Sequence, residues 1–460
     1  MAEDKSNSRW ELHDSSPFYE SQPEPVQQPL PPAPDGCYGW VVTACVAIVN
    51  GHSWGINAAY SVFLAHYLAN ETFSGATHLE YAFVGSLSIG CTFLISPLAT
   101  ICVREFGTRP TMLFGALLQS VSLICASLST KMWHLFLSQG ALFGIGMGLL
   151  FLPSYGIIAQ WFTKRRALAN GVAIAGAGIG GLIYSLGSGA MIRKLGLDWA
   201  FRILSIITFV INAACILLIR ARYEAIGSRQ LAFDTSLLKR VEYLLILAFG
   251  SFSMLGYFVL IFTLANYANE IGLDASQAAV IPALLMLGQA LGRPVIGYFS
   301  DTIGPINMAT LMTLLIGVFS LTIWVNAKTY GVLIFFALIE GTVAGAFWVT
   351  VAPVMVEVIG LENLPSGLTL LWLTLVLPST FSEPIALQTV VGTGNYIGAQ
   401  LFTGLVFIAA AICMGLLRGW KIGQAKGNAE ASADTTKRVR YEKHGYTRAF
   451  IYDCFKWKNV

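Results

Sequence analysis

Leu284 to Gly304 reads LLMLGQALGRPVIGYFSDTIG. It belongs to an apolar run near residues 277–298, long enough to cross about 30 Å of hydrocarbon as a helix. Arg293 sits about two-thirds of the way along that run. An arginine near the bilayer centre costs roughly 2.5–3.5 kcal/mol or more. A partner, a water-filled cavity or an anion must therefore answer it. Two readings stand. In one, Arg293 forms a structural ion pair or snorkels to an interface. In the other it faces a central cavity and holds an anion.

The surrounding chain supplies the setting. Its 460 residues are 55% hydrophobic and 12% charged, against about 25% charged in a soluble domain. Mean hydropathy is +0.65. Apolar runs recur along the whole length, which predicts an all-α polytopic membrane protein. Eight cysteines are scattered with no CxxC pairing, so neither a disulfide framework nor a metal site is expected. The start has no basic region leading into a short apolar run, so no cleaved signal peptide is expected. The formal net charge of +3 resides in loops and tails. No nucleic-acid partner and no cofactor are expected.

Twelve apolar spans are predicted near 39–65, 81–102, 110–129, 133–158, 167–190, 199–219, 242–265, 277–298, 307–326, 331–356, 366–388 and 396–417. They divide the chain into an N-terminal tail (1–36), a six-helix bundle (37–219), a linker (220–240), a second six-helix bundle (241–417) and a C-terminal tail (418–460). The first tail is proline-rich, with six acids against Lys5 and Arg9 in residues 1–34, and is expected to be disordered. The second carries ten lysines and arginines against four acids. It is expected either to lie on an anionic membrane surface or to be solvated.

Loop charge sets the orientation. With both termini cytoplasmic, the inner loops hold Arg104, Arg109, Lys164, Arg165, Arg166, Arg220, Arg222, Arg229, Lys239 and Arg240. The outer loops hold Lys131, Arg193, Lys194 and Lys328. Ten against four satisfies the positive-inside rule. The glycosylation-type triplet Asn70-Glu71-Thr72 falls in the first outer loop.

The second half echoes the first at a shift of 197 residues. Pro97 and Gly107 become Pro294 and Gly304, Gly144 and Gly148 become Gly341 and Gly345, and Tyr60 and Val62 become Tyr257 and Val259. Parallel halves of this kind are a transporter architecture, with the substrate site near the midplane between them.

Few polar residues occupy the spans. Asn50, His52, Ser53 and Asn57 lie in the first. Gln289 lies one helical turn before Arg293, on the same face. Glu340 lies near mid-membrane in the tenth span. It is either a proton-coupling group or the static partner of Arg293. Tyr60, Tyr155, Tyr184, Tyr257 and Trp348 either shape a cavity or simply pack. The fifth span is introduced by Lys164, Arg165 and Arg166, and its Gly171, Gly176, Gly178, Gly180 and Gly181 leave a bare helix face. Small residues let helices approach closely, for static packing or for sliding. The inner loops around Arg104–Arg109 and Asp301 read as a set of gating ion pairs, with Glu105 or Glu362 as partners of the cations, or as solvated charges.

Two signatures resemble the monocarboxylate transporter branch of the major facilitator superfamily. Asp35-Gly36-Cys37-Tyr38-Gly39-Trp40 matches its DGxxGW motif, and WFTKRRALANGVAIAGAG at 161–178 matches its second motif. Phe106-Gly107-Thr108-Arg109 and Gly292-Arg293-Pro294 also fit. The resemblance implies the major facilitator fold and a proton-coupled carrier of short organic acids, in which the span-eight arginine binds carboxylate. Asp35 and Lys164–Arg166 would serve helix contacts and gating. Two positions depart from the animal proton–lactate carriers: Ala58 stands where they have lysine, and Gln289 where they have aspartate. The chain is more similar to fungal-type members.

The expected function is therefore secondary-active transport of a small organic anion, probed by a site of Arg293, Gln289, Asn57, Tyr60 and Tyr257. The expected partners are a small-molecule substrate, protons and the lipid bilayer, in a monomeric carrier of the plasma membrane, with a vacuole-type membrane as the other candidate. Rival readings are a carrier or exporter of a larger or neutral solute, and a non-transporting nutrient sensor. Paired intramembrane catalytic residues and a Walker-type loop are not found in the sequence, so no enzyme and no ATP-driven pump is expected.

Overall fold

The protein is described here by a computed structural model covering residues 33–433, except Ser74 and Arg229. The proline-rich tail before residue 33 and the basic tail beyond residue 433 lie outside the described residues. Among the described residues all regular structure is helical.

Helix α1 runs Cys37–Ala58 and continues as Tyr60–Ala69 after a step at Ala59. Helix α2 runs His78–Leu94 and Ser96–Phe106, with a 45° bend between the pieces. Helices α3 (Thr108–Ser127), α4 (Met132–Trp161), α5 (Arg166–Leu195) and α6 (Leu197–Leu218) complete the first half. A linker with short turns at Tyr223–Ile226 and Leu237–Lys239 leads on. The second half is α7 (Val241–Glu270), α8 (Ala275–Ile303), α9 (Pro305–Trp324), α10 (Tyr330–Ile359), α11 (Leu364–Thr393) and α12 (Ile397–Ala433).

Ten of these helices are long and apolar enough to cross a membrane, and α2 is an eleventh when its bent pair is taken as one span. Helix α1 is more polar, because Asn50, His52, Ser53 and Asn57 interrupt its apolar run. All twelve expected spans correspond to helical rods. The expected end of the last span, residue 417, falls short. Helix α12 continues to Ala433, where Arg418 bonds to Asn307 Oδ1 and Lys421 Nζ donates to the Glu357 carbonyl at 2.8 Å. Helix-forming residues with anchored cations extend the rod past the hydrocarbon.

The 197-residue echo has a physical counterpart in packing. Helices α2 and α8 both begin with reciprocal capping boxes, Thr77 with Glu80 and Asp274 with Gln277. Each box satisfies two otherwise orphaned N–H groups. Both helices end at glycines with positive φ, Gly107 at 88° and Gly304 at 99°, a region that other residues enter at a cost. Gly144 of α4 packs on the Ser88 carbonyl of α2, and Gly341 of α10 packs on the Leu285 carbonyl of α8. Every member of one half is 197 residues from its counterpart.

The glycine face of α5 has two neighbours. Gly176 and Gly180 press on Ala47 and Gly51 of α1. Gly171 meets the Arg293 carbonyl, and Gly178 and Gly181 meet Met286, all on α8 of the other half. Close backbone approach therefore holds α5 both within its half and across the molecule. A second contact joins α2 to α11, where Ser96 Oγ donates to the Thr369 carbonyl at 3.1 Å and Thr100 Oγ1 lies 2.6 Å from Thr369 Oγ1. These contacts gather on the side that carries the linker, so the two halves meet there and at the midplane.

Candidate functional site

Arg293 projects from the second half of α8 into the seam between the halves and is only 3% exposed. One terminal nitrogen donates to the Ile174 carbonyl of α5 at 2.7 Å. The other donates to Gln289 Oε1 at 2.5 Å and to the Tyr257 hydroxyl at 3.3 Å. Tyr257 itself donates to Gln289 Oε1 at 3.0 Å. Arg293 Nε is buried without a hydrogen-bond partner. Gly345 of α10 makes room for the stem, since a Cβ there would lie 2.7 Å from Arg293 Cγ. Arg293, Gln289 and Tyr257, expected together, are brought together by the i, i+4 spacing on α8 and the crossing of α7.

Of the two readings of Glu340, the static pair with Arg293 does not form. Glu340 is 0% exposed and accepts from Ser320 Oγ of α9 at 3.2 Å, while its Oε2 has no partner. Its neighbour Gly341 takes the α8-facing position on α10, and one residue of helix rotates Glu340 about 100° away. Ser320 opens a π-helical turn, Ser320–Trp324, a local widening that recurs at functional positions.

Asn57 and Tyr60 lie elsewhere. Asn57 Nδ2 donates to Ser88 Oγ at 2.7 Å and the Tyr60 hydroxyl to the Tyr81 carbonyl at 2.9 Å. They line a small pocket inside the first half with Phe63, Gln139 and Phe143. Arg293 is not part of that lining.

The midplane between the halves is aromatic. Trp348 of α10 contacts Trp54, Phe93 and Phe151 of the first half and Tyr257 and Trp372 of the second. Its carbonyl accepts from the Tyr155 hydroxyl at 2.5 Å and from Asn170 Nδ2 at 3.1 Å. Sequence reading singled out Tyr155 and Trp348. It missed Asn170, whose signal was an amide inside the small-residue run of α5, and Trp54, Phe93 and Trp372, which carry no motif.

Below this cluster a small pocket opens toward the linker, lined by Ser96, Thr100, Gly156, Tyr223, Gln230 and Thr369 among others. Burial pushes the Tyr223 hydroxyl up to about 12, so it stays a neutral hydrogen-bonding group across physiological pH.

On the linker side, carboxylates bind backbone amides at the start of α5. Asp301, at the end of α8, accepts from Ala167 N at 2.8 Å and Leu168 N at 2.9 Å, in the first turn of α5. Asp35 accepts from Thr163 N at 2.8 Å and Lys164 N at 3.2 Å, just before that turn. Both add negative charge where a helix N-terminus favours it. These hydrogen bonds to backbone belong to neither of the two readings of the loop charges, gating ion pairs or solvated groups. Arg104 makes a salt bridge with its exposed neighbour Glu105. Arg109 Nε donates to the Ile219 carbonyl and Arg166 Nε to the Phe162 carbonyl, while Lys164 and Arg165 are exposed.

Two six-helix halves around a buried cation at their midplane define a multi-pass membrane transporter. The family model "Major Facilitator Superfamily" matches residues 42–252 and 244–450, and the chain belongs to that superfamily. It is 30% identical over 399 residues to the Saccharomyces cerevisiae protein named "Probable transporter MCH2", covering 85% of this chain and 84% of that one. It is 28% identical over 411 residues to monocarboxylate transporter 10 of Rattus norvegicus, covering 84% and 79%. The E. coli fucose:proton symporter FucP shares the fold, with a TM-score of 0.66 at 14% identity, covering 82% of this chain and 98% of that structure.

Proposed function

We propose that this transporter moves a small monocarboxylate, in symport with protons, by alternating access. The observation that carries the reading is the Arg293 environment. A guanidinium buried at the midplane is met only by neutral oxygens, from Ile174, Gln289 and Tyr257. A buried charge without a counter-ion is costly, and a carboxylate offers the bidentate partner that guanidinium geometry suits. The name of the rat relative agrees with an anion of that class.

In this reading Gln289 and Tyr257 orient the guanidinium, while Asn57 and Tyr60, bonded within the first half, do not touch the anion in this conformation. Glu340 carries the coupled proton. Bundles 37–219 and 241–417 rock about the linker 220–240. Asp35, Asp301, Arg104, Arg109 and Lys164–Arg166 serve the gate, with Gly171 and Gly176 as the surfaces that slide. The linker side is cytoplasmic, and the plasma membrane is the site of action. Uptake of labelled pyruvate and lactate by cells expressing the wild type or Arg293→Ala tests the reading. Uptake that needs both the protein and Arg293 supports it, and equal uptake by the variant sinks it.

A second reading rests on the aromatic midplane around Trp348. Six rings offer stacking surface to a larger or neutral solute. A panel of monocarboxylates that all fail, beside loss of an aromatic metabolite from expressing cells, would favour it.

A further inference from the structure

The same guanidinium that is placed to bind an anion also joins the halves. Its bond to Ile174 spans from α8 in the second half to α5 in the first. It lies in the seam where Gly171 meets the Arg293 carbonyl and the Pro294 ring. The Ile174 carbonyl sits inside a helix that leans on α8 through bare glycines, so few side chains share the work of holding this contact. Nearer the start of α5 are Asn170, bonded to the carbonyls of Trp348 and Val349, and the Asp301 cap.

We propose that Arg293 is also the bolt of the linker side, and that a carboxylate opens it by taking the guanidinium away from the Ile174 carbonyl. This rests on the reading of Arg293 as the anion site. Arg293 Nε is unpartnered, so a carboxylate on Nε and the adjacent terminal nitrogen would leave Ile174 in place. The opening carboxylate instead takes both terminal nitrogens, including the N–H that now holds the Ile174 carbonyl. It therefore binds more tightly where the Ile174 bond is broken, and a ligand shifts a conformational equilibrium by its differential affinity for the two states. Reciprocity follows: closure of the linker side weakens the hold on the anion. Site occupancy and gate position are thus coupled through one side chain, with no carboxylate of the protein required as a go-between.

The test is a pair of spin labels on the full chain in lipid nanodiscs, with the native cysteines replaced by alanine. Cysteines at the exposed Thr163 and Thr302 report the distance between the α5 and α8 ends. The unliganded wild type is expected to show a dominant short distance, and saturating pyruvate to raise the long-to-short ratio about 5-fold or more. Arg293→Ala is expected to show the long distance without pyruvate and no response to it. Arg293→Lys, which keeps a cation of similar reach, is expected to hold the short distance. An alanine variant that elutes as one species and stays as closed as the wild type overturns the bolt. If that variant opens while pyruvate leaves the wild type unmoved, the bolt stands and the monocarboxylate reading fails. Should the alanine variant aggregate, Arg293→Gln takes its place under the same readings.

Discussion

The carboxylate of Asp301 lies 2.9 Å from the backbone nitrogen of Leu168 and links α8 of one half to α5 of the other. The link is a helix cap supplied in trans rather than a salt bridge. Its strength is that of capping, about 0.5–2 kcal/mol. That is enough to bias a gate and small enough to let it open.

Removal of the cap should loosen that side. Asp301→Ala is expected to shift the closed-to-open ratio by roughly 2- to 30-fold, the equivalent of a lost cap. The readout is the rate at which a cysteine at Ala99, in the linker-side pocket, reacts with a membrane-impermeant maleimide applied from the linker side. Asp301→Asn keeps one acceptor oxygen and should fall between. Equal rates in all three proteins would contradict the account.

Both Arg293→Ala and Arg293→Lys should lose anion transport about tenfold or more with normal surface levels. Lysine keeps the charge but not the planar fork. Surface biotinylation beside uptake separates lost function from lost protein.

For Glu340→Gln the expected outcome is a flat pH profile. The wild type should take up anion faster as the outer pH falls, since more protons drive symport. A variant that keeps this slope would remove Glu340 from the coupling role and leave it as the partner of Ser320.

Packing on α5 makes a stability prediction. A Cβ at Gly176 would overlap the Ala47 carbonyl of α1, so Gly176→Val should cost at least the 1–3 kcal/mol typical of overpacking. Gly187, on the same helix, has open space around it. Gly187→Ala should be neutral or stabilise by up to about 1 kcal/mol. Thermal-shift measurements on the purified pair decide.

Asn70 is exposed at the end of α1, on the side opposite the linker. If that side faces the secretory lumen, the triplet is glycosylated and Asn70→Gln removes a mobility shift seen on glycosidase treatment. A shift that persists in the variant would contradict this assignment.

Much of the fold was legible because a bilayer imposes one length on every span and loop cations declare a side. The repeat was legible at Gly107 and Gly304, where both halves need the same backbone conformation. The triad of Arg293, Gln289 and Tyr257 was half legible: the spacing of Gln289 and Arg293 puts them on one face, whereas Tyr257 depends on how α7 crosses α8. The partner of Glu340 was not legible. Which face of α10 meets α8 depends on where Gly341 packs, and that contact is made by a residue with no side chain to announce it. The bonds of Asp35 and Asp301 were not legible because sequence shows charged side chains and hides the backbone amides they bind. The aromatic cluster escaped for a similar reason, since Trp54 of α1 packs on Phe93 of α2, which meets Trp372 of the distant α11.

The measurement closest to the central claim is proton movement in proteoliposomes carrying a trapped pH dye, on addition of a panel of monocarboxylates. Empty liposomes report leak of the free acid, and Arg293→Ala reports transport that bypasses the site. The account predicts an acidified lumen that needs both the protein and Arg293, for at least one member of the panel. A lumen that acidifies equally with the variant, or no faster than in empty liposomes across the whole panel, would contradict it.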